Sequence, residues 1–484
     1  MSSVVEALRA SLGNAVSVDA DDLDATRADK SGHMSGSRPL AIVRARSVDD
    51  VQTTMRIANA TGTPVVTRGA GTGLAGGAIA SAGEIVLSTL AMNRVLEVSR
   101  DDELAVVEPG IINADLNAQL SSHGLWFAPD PASRAISTVG GNIATIAGGL
   151  LCAKYGVTRD AVLGLKVVLA DGRLLTLGHR TVKGVTGLDL TSLMIGSEGT
   201  LGVIVEATVR LRPVQSGPVP TISATFADED AAARAAAVIV SSGLHPAVME
   251  LIGDSAMAGI AAYLELEHPG GSQLIVQTDG PGAELEAQTA LAIITSLGGV
   301  AVLSTDPAEG ERLFAVRRSF HPAMLAIGQV LIEDVCVPRS QLPAMFHAIG
   351  EIEAKYGITI PTVAHAGDGN LHPNFIIPGK PGGAGSQDNP GEVPDEIWAA
   401  ADELFLAALR LGGTLTGEHG IGILKRRWLR DELGDDQLEL QRQIKAVFDP
   451  TGILNPGKVF ASLTEAVASD ETPGNTAPAS SARR

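Results

Sequence analysis

The sequence predicts an α+β fold in two parts, on three grounds. Residues 37–213 hold short Val/Ile-rich runs parted by glycine clusters, with helix-length segments mixed in but no regular strand–helix alternation. Residues 220–420 change character. Long Ala-rich segments of helical length surround two apolar runs, TISATFA and QLIVQTDG, as expected for an antiparallel sheet covered by helices. The 484 residues are 45% hydrophobic, 19% charged and only 3% aromatic, which describes a globular body with cores of Ala and Val. That length suits two domains.

Taken in order, MSSVVEALRASLG reads as a short amphipathic helix and lacks the basic start and apolar core of a secretory signal. PLAIVRA, TPVVTRG, EIVLST, LAVVEPG, GLKVVLADG and VIVEATVRL read as strands. Between the first two, SVDDVQTTMRIANATG reads as a helix with Ser47 as N-cap, acids in its first turn and Gly62 at its end. ADLNAQLSSHG is a second helix, closed by Gly124. The pattern breaks over Arg212-Pro213-Val214-Gln215-Ser216-Gly217-Pro218, the expected domain boundary. Beyond it, DEDAAARAAAVIVSSG, GAELEAQTALAIITSLGG, PRSQLPAMFHAIGEIEAKYG and PDEIWAAADELFLAALRLGG read as helices. The stretch Leu313 to His321 reads as a helix stopped by Pro322. Residues 378–394 are a Gly/Pro loop and a candidate lid, and the last twenty or so residues read as a disordered tail.

Composition also excludes. A net charge of −19 disfavours nucleic acid and anionic membrane surfaces as general partners. Two cysteines, Cys152 and Cys336, cannot by themselves build a disulfide framework, a Cys-rich zinc site or an iron–sulfur cluster. No run approaches the ~20 apolar residues of a spanning helix. The expectation is a cytoplasmic protein with no integral membrane segment and no nucleic-acid partner.

Three glycine-rich segments lie in the first part. In Pro64 to Gly77, a strand enters five glycines within nine residues, Gly69, Gly71, Gly73, Gly76 and Gly77. Such a loop can turn its N–H groups inward around an anion, and a diphosphate is the expected guest. Gly71 to Gly76 matches GxGxxG, but a strand follows where the dinucleotide fingerprint needs a helix, so a nicotinamide-type Rossmann reading is rejected. The second segment runs Pro129-Asp130-Pro131-Ala132-Ser133, then Thr138, Gly140, Gly141, Asn142 and Gly148. Its small residues let a flat ring lie against backbone, and Ser133, Thr138 and Asn142 can satisfy ring or ribitol heteroatoms. The third is Gly196-Ser197-Glu198-Gly199-Thr200-Leu201-Gly202, running into Val203 and Ile204.

Together these segments resemble the FAD-binding domain of the vanillyl-alcohol oxidase / p-cresol methylhydroxylase (PCMH) superfamily. Arg68-Gly69-Ala70-Gly71-Thr72, PDPAS, GGN and GSEGTLG look like its FAD-linked D-2-hydroxy acid dehydrogenase branch, which includes the glycolate oxidase FAD subunit, D-lactate dehydrogenase and D-2-hydroxyglutarate dehydrogenase. The resemblance implies a PCMH-type FAD domain followed by an α+β substrate (cap) domain. Some members tether flavin through a His in the first loop. Thr72 stands at that position here, which implies non-covalent FAD. The implied FAD-contacting set is Arg68, Gly69, Ala70, Gly71, Thr72, Gly73, Gly76, Gly77, Pro129, Asp130, Ser133, Thr138, Gly140, Gly141, Asn142, Gly148, Glu198, Gly202, Ile204 and Asn455. Asn455 belongs to Phe448 to Lys458, which resembles the family's C-terminal signature, where the chain returns to the flavin domain. The expected division is a helical segment at 1–36, the FAD domain at 37–215, the cap domain at 216–424, the returning segment at 425–462 and a tail at 463–484.

The second part carries Val363-Ala-His365-Ala-Gly-Asp368-Gly-Asn370-Leu-His372-Pro-Asn374. Residues seven apart on one straight strand point to opposite faces. A bend through Ala-Gly-Asp-Gly-Asn would bring His365 and His372 together, with Asn374 on the face of His372. Two neutral imidazoles make a borderline metal-binding pair. Gly417-Glu418-His419-Gly420 offers a third ligand in Glu418 and a base in His419. HAGDGNLHPN and GEHG resemble the family's divalent-metal motif, which implies His365, His372 and Glu418 as ligands to Zn, Mn or Fe, and His419, Arg317 and Asn374 as catalytic residues. Arg317 matches the family's substrate-carboxylate arginine.

Where 2-hydroxyglutarate enzymes carry a Lys for the distal carboxylate, Ile332 stands here. That favours a short acid, D-lactate or glycolate. Were a dicarboxylate preferred, Arg318, Lys425 or His321 would have to supply the cation. The activity so implied is FAD-dependent oxidation of a small D-2-hydroxy acid, with electrons passing to a protein, a quinone or oxygen. Alternatives are the catalytic FAD subunit of a multi-subunit glycolate oxidase and a D-2-hydroxyglutarate dehydrogenase. A non-catalytic flavoprotein needs neither Arg317 nor the His/Glu constellation. A homodimer is also allowed for.

Overall fold

The chain's first sheet forms around three parallel strands, Ala41–Arg44, Ile85–Ser88 and Val65–Arg68 in that spatial order, in a computed structural model that describes residues 3–377 and 393–460. The candidate lid at 378–394, apart from its last two residues, and the expected tail lie outside the described residues. Helix Val48–Thr61 links the first two strands in sequence. Ser47 Oγ accepts from the N–H of Asp50 at 3.2 Å, and the left-handed Gly62 ends the helix. Its Val51, Met55 and Ala58 are buried with Val43, Val65 and Leu87 in one core. The N-terminal helix Ser3–Leu12 adds Val4, Val5 and Leu8 to that core, and the strand Val16–Ser17 pairs antiparallel with Ala41–Arg44. At the other edge the chain returns near its end. The N–H of Val65 donates to Ile453 O at 2.7 Å, and the N–H of Asn455 donates to Val65 O at 2.8 Å.

A second sheet of five antiparallel strands follows in the order Val95–Ser99, Leu104–Val107, Val203–Arg210, Val162–Val168, Leu174–Gly178. Val203, Val205, Ala207 and Val209 are all buried, the period-two alternation of a strand with one core face. Arg180, just past one edge strand, pairs with Glu97 on the other, so the sheet curls towards closure. Arg212–Pro213 still pairs with Leu125–Trp126, which keeps the start of the expected boundary segment on this side.

The cap sheet is antiparallel throughout: Val300–Ser304, Thr221–Phe226, Ser272–Gln277, Val248–Ile252, Thr362–His365, Asn370–Ile377, Gln329–Ile332, with Val335–Cys336 also paired to Asn370–Ile377. On one face lie Leu251, Leu274, Ala364 and Leu371. They pack against helices Glu229–Ser241, Ala283–Ser296, Leu342–Tyr356 and Asp395–Arg410. The alternate residues face the other way. Val248, Ile252 and Val363 pack on Ile260, Phe314, Phe320 and Met324. Glu250, His365, Asn370, His372 and Asn374 complete that second face as a buried polar stripe.

The helix read as stopped by Pro322 is a correction. One helix, Pro307–Arg318, ends at Ser319, and a second, Phe320–Ile327, starts at once with Pro322 in its first turn. First-turn N–H groups have no intrahelical acceptor, so proline is tolerated there. No helix among the described residues is long and apolar enough to cross a membrane.

Candidate active site

The glycine loop after Val65–Arg68 runs without a helix to the strand Ile85–Ser88 and lines a cavity of about 450 Å³. Among the described residues, no protein acceptor takes the backbone N–H groups of residues 69–73. Thr67 Oγ1 and Asn142 Nδ2 are buried on the wall without a partner. A ring of free donors beside an apolar slot fits a diphosphate-linked flavin. Short helix Val139–Thr145 supplies the facing wall, with Thr138 Oγ1 accepting from the N–H of Gly141 at 3.1 Å.

Of the FAD-contacting set, Gly69, Ala70, Gly71, Thr72, Gly73, Gly77, Ser133, Thr138, Gly140, Gly141, Asn142, Glu198, Gly202 and Ile204 line the cavity. Six others stand behind the wall. Arg68 braces the loop from within, Nη1 donating to Ala78 O at 2.8 Å and Nη2 to Ala28 O at 2.9 Å. Gly76 lies against the Ile423 side chain. Pro129 O accepts from Asn113, and Asp130 Oδ1 accepts from the N–H of Leu151. Asn455 Nδ2 donates to Gly77 O and Glu198 O, tying the C-terminal segment to two flavin loops. Gly148 makes room for the cap domain instead, since a Cβ there would stand 2.6 Å from Glu418 Oε2. Lys30 and Pro109 also line the cavity, and no sequence motif marked them; His321, one of the alternative distal cations, lines it too.

The hairpin Thr362–His365 / Asn370–Ile377 does what the bend was expected to do. Val363 pairs with His372, and His365 with Asn370, so both imidazoles leave the same face. Their rings lie 5.1 Å apart and nearly perpendicular. Glu418 Oε1 is 3.1 Å from His372 Nε2 and 3.6 Å from His365 Nε2. One ligand atom from each of the three residues falls within 4.8 Å of the others, which fits a divalent cation. Burial alone would raise the Glu418 pKa, but hydrogen bonds from the two imidazoles outweigh it and hold the group well below the usual carboxylate range. For His365 burial works downward, while the charge and hydrogen bond of Glu250 outweigh it and hold the imidazole well above its ordinary value. A cation would take over the role those protons play. His419 stacks on His372 at 5.1 Å, and burial pulls its pKa down to about 4. Glu418 and His419 both reach the flavin cavity, so the cluster and the slot are one continuous site.

Two buried carboxylates aim the Gly417–Gly422 loop. Asp334 Oδ2 accepts from Thr416 Oγ1 and from the N–H groups of Gly417, Glu418 and His419, at 2.5 to 3.1 Å. Glu198, from the flavin side, accepts from the N–H groups of Ile421 and Gly422 at 2.7 and 2.8 Å. Its burial pushes its pKa up to about 7 despite those bonds. Gly422 must be glycine: its φ is +50°, and a Cβ would lie 1.9 Å from Ala75 O. Lys425 Nζ is buried on Asp334 O and Leu415 O and does not line the flavin cavity. Arg318 pairs with Glu311 at the surface. Of the three alternative distal cations, only His321 borders the cavity.

Arg317 does not line the flavin cavity. Its Nε donates to Glu250 Oε2 at 2.8 Å, and Glu250 Oε1 accepts from His365 Nδ1 at 2.6 Å. Nη1 and Nη2 of Arg317 have no protein hydrogen bond among the described residues. Asn374 is buried with Oδ1 unpartnered, and Ile332 sits directly opposite it on the same sheet face. Sequence reasoning missed Glu250 and the role of Asp334. The available signals were an acid inside the apolar strand VMELI and another just past the strand end VLI, where only a paired carboxylate is tolerable.

A glycine-lined slot joined to a His/Glu cluster across two domains defines a flavin-dependent oxidoreductase. Residues 39–178 match the family model for the FAD binding domain, and residues 218–459 match that for FAD linked oxidases, C-terminal domain. The chain belongs to this FAD-linked oxidase family. It is 38% identical to the glycolate oxidase subunit GlcD of Bacillus subtilis, over 88% of this chain and 90% of that one. It is 36% identical to the D-lactate dehydrogenase of Archaeoglobus fulgidus, over 87% and 91%. Among solved structures, p-cresol methylhydroxylase with substrate bound superposes with a TM-score of 0.75 at 18% identity, covering 95% of this chain and 97% of that one, which shows the shared fold.

Thr72 at the loop offers no imidazole for a covalent link. FAD should therefore be released on acid precipitation, leaving a colourless pellet, and yellow colour retained in the pellet would contradict this.

Proposed function

We propose that the enzyme oxidises a small D-2-hydroxy acid, D-lactate or glycolate, to the 2-oxo acid. The observation that carries this reading is the junction of the His365/His372/Glu418 cluster with the flavin cavity, with Arg317 joined to His365 through Glu250. The names of the relatives, a glycolate oxidase subunit and a D-lactate dehydrogenase, support the substrate class. Bound FAD supplies the hydride acceptor, and a divalent cation held by His365, His372 and Glu418 supplies Lewis-acid polarisation. The chain's own residues do the rest. Arg317 grips the substrate carboxylate through Nη1 and Nη2. His419, on the cavity wall, takes the hydroxyl proton. Asn374 offers its unpartnered Oδ1 to the same face. Ile332, opposite Asn374, presents no charge to a second carboxylate. Electrons then leave to a protein, a quinone or oxygen.

The test is anaerobic flavin reduction with D- and L-lactate, glycolate, D-2-hydroxyglutarate and D-malate. D-lactate or glycolate should bleach the flavin fastest. A preference for D-2-hydroxyglutarate would reject the short-acid reading, and bleaching by none would reject the class. Arg317→Ala should lower kcat/KM for every hydroxy acid by about tenfold or more, since a charge-assisted contact contributes about 1.5–3 kcal/mol. A second reading, the catalytic subunit of a larger glycolate oxidase, draws on the relative named as a subunit, and native pull-down separates it from a lone enzyme.

A further inference from the structure

We infer that Glu250 is a positioning residue that sets the metal ligand His365 and the carboxylate-gripping Arg317 at once. The inference rests on the metal and carboxylate roles proposed above. Glu250 lies in the middle of Val248–Ile252, and the strand register places it directly opposite His365, on the same face of the sheet. It is fully buried between Val248 and Ile252, which face the same way into apolar packing. A carboxylate there without partners would be strongly disfavoured. Both of its oxygens are in fact engaged, Oε1 by His365 Nδ1 at 2.6 Å and Oε2 by Arg317 Nε at 2.8 Å.

An ionised carboxylate only accepts, so the hydrogens belong to the imidazole and the guanidinium. With a hydrogen on Nδ1, the neutral His365 ring carries its lone pair on Nε2, the nitrogen that faces Glu418. A carboxylate behind a ligating imidazole fixes tautomer and ring orientation and raises ligand basicity. With Nε committed, the planar guanidinium of Arg317 has one bidentate edge left for a carboxylate, the end formed by Nη1 and Nη2. The hydroxyl and carboxylate of a 2-hydroxy acid sit on adjacent carbons. The cation and the guanidinium must therefore keep a fixed offset, and one side chain on a central strand sets it. Glutamine cannot replace this. If its oxygen faces His365, its NH₂ meets the N–H of Arg317. If it turns round, its NH₂ meets Nδ1 and drives the hydrogen to Nε2, which then cannot ligate.

The test uses FAD-loaded protein with Glu250→Gln, Zn²⁺ titrated against a chelator, and D-lactate as substrate. Zn²⁺ affinity should fall about 10- to 100-fold, the range for removing a ligand's carboxylate support, with FAD content and flavin absorbance unchanged. KM for D-lactate should rise in the parent background but not further in Arg317→Ala, whereas the Zn²⁺ defect should persist there. Unchanged Zn²⁺ affinity, or KM effects that simply multiply, would overturn the inference. If Glu250→Gln does not fold, Glu250→Asp carries the test. It keeps the charge but is one methylene too short to span both partners, and wild-type values for Zn²⁺ affinity and KM would equally overturn the inference. His365→Ala separates the two levels. Retained Zn²⁺ there rejects the metal site itself, while lost Zn²⁺ with normal Glu250→Gln rejects only the role of Glu250.

Discussion

Glu418→Ala should abolish turnover for practical purposes while leaving the flavin in place. Glu418 faces both imidazoles, at 3.1 and 3.6 Å, so its removal leaves two histidines and no anionic ligand. A Lewis acid contributes several kcal/mol to a transition state. At about 1.4 kcal/mol per tenfold, a loss of about 4 kcal/mol is roughly a thousandfold in rate. His365→Ala should behave alike. Metal analysis should show both variants depleted of divalent cation. FAD content should stay near that of the parent, because His365 does not line the flavin cavity and Glu418 is one of many residues that do. Full metal occupancy in both variants would reject the site.

Asp334→Ala should damage stability as well as activity. Its Oδ2 receives four donors, three of them backbone N–H groups of the loop that carries Glu418 and His419. Buried Lys425 Nζ stands 3.8 Å away. Removing one side of a buried ion pair costs about 3–5 kcal/mol, because the other charge stays buried. The thermal midpoint should drop clearly and turnover with it, since the loop loses the anchor that aims it. Asp334→Asn is the informative companion. It keeps one acceptor oxygen for the loop and loses the charge facing Lys425 and His372, so its midpoint should fall less. Equal midpoints for Asp334→Ala and the parent, measured by thermal unfolding, would show that the loop is held some other way.

Much of the molecule was legible along the chain. Ser47 and Gly62 announced their helix, because capping is a local interaction between a side chain or a left-handed residue and the nearest backbone groups. The absence of a helix after Gly77 was legible because the next apolar run, EIVLST, carries strand propensity. The His365/His372 pair was legible because a short bend and a two-residue period suffice to place both on one face. Pro322 misled because a local rule, that proline ends helices, has two local solutions. Only the packing of Phe320, Ala323 and Met324 into the core selected a new helix over a loop.

What the sequence by itself determined is the chemistry available: a glycine loop with free N–H groups, two histidines a bend apart, a Glu-His pair among glycines, and no cysteine cluster. What only the tertiary structure decided is which buried charges face one another. Glu250 meets His365 across 115 residues and Arg317 across 67, while Glu198 meets Ile421 across 223. Arg68, Asp130, Gly148 and Asn455 turned out to support loops and partners behind the flavin wall instead of lining it. Propensity and spacing act over a few residues. The pairing of buried carboxylates is set by strand register and domain contact, because a desolvated charge is stable only where the fold brings it a partner.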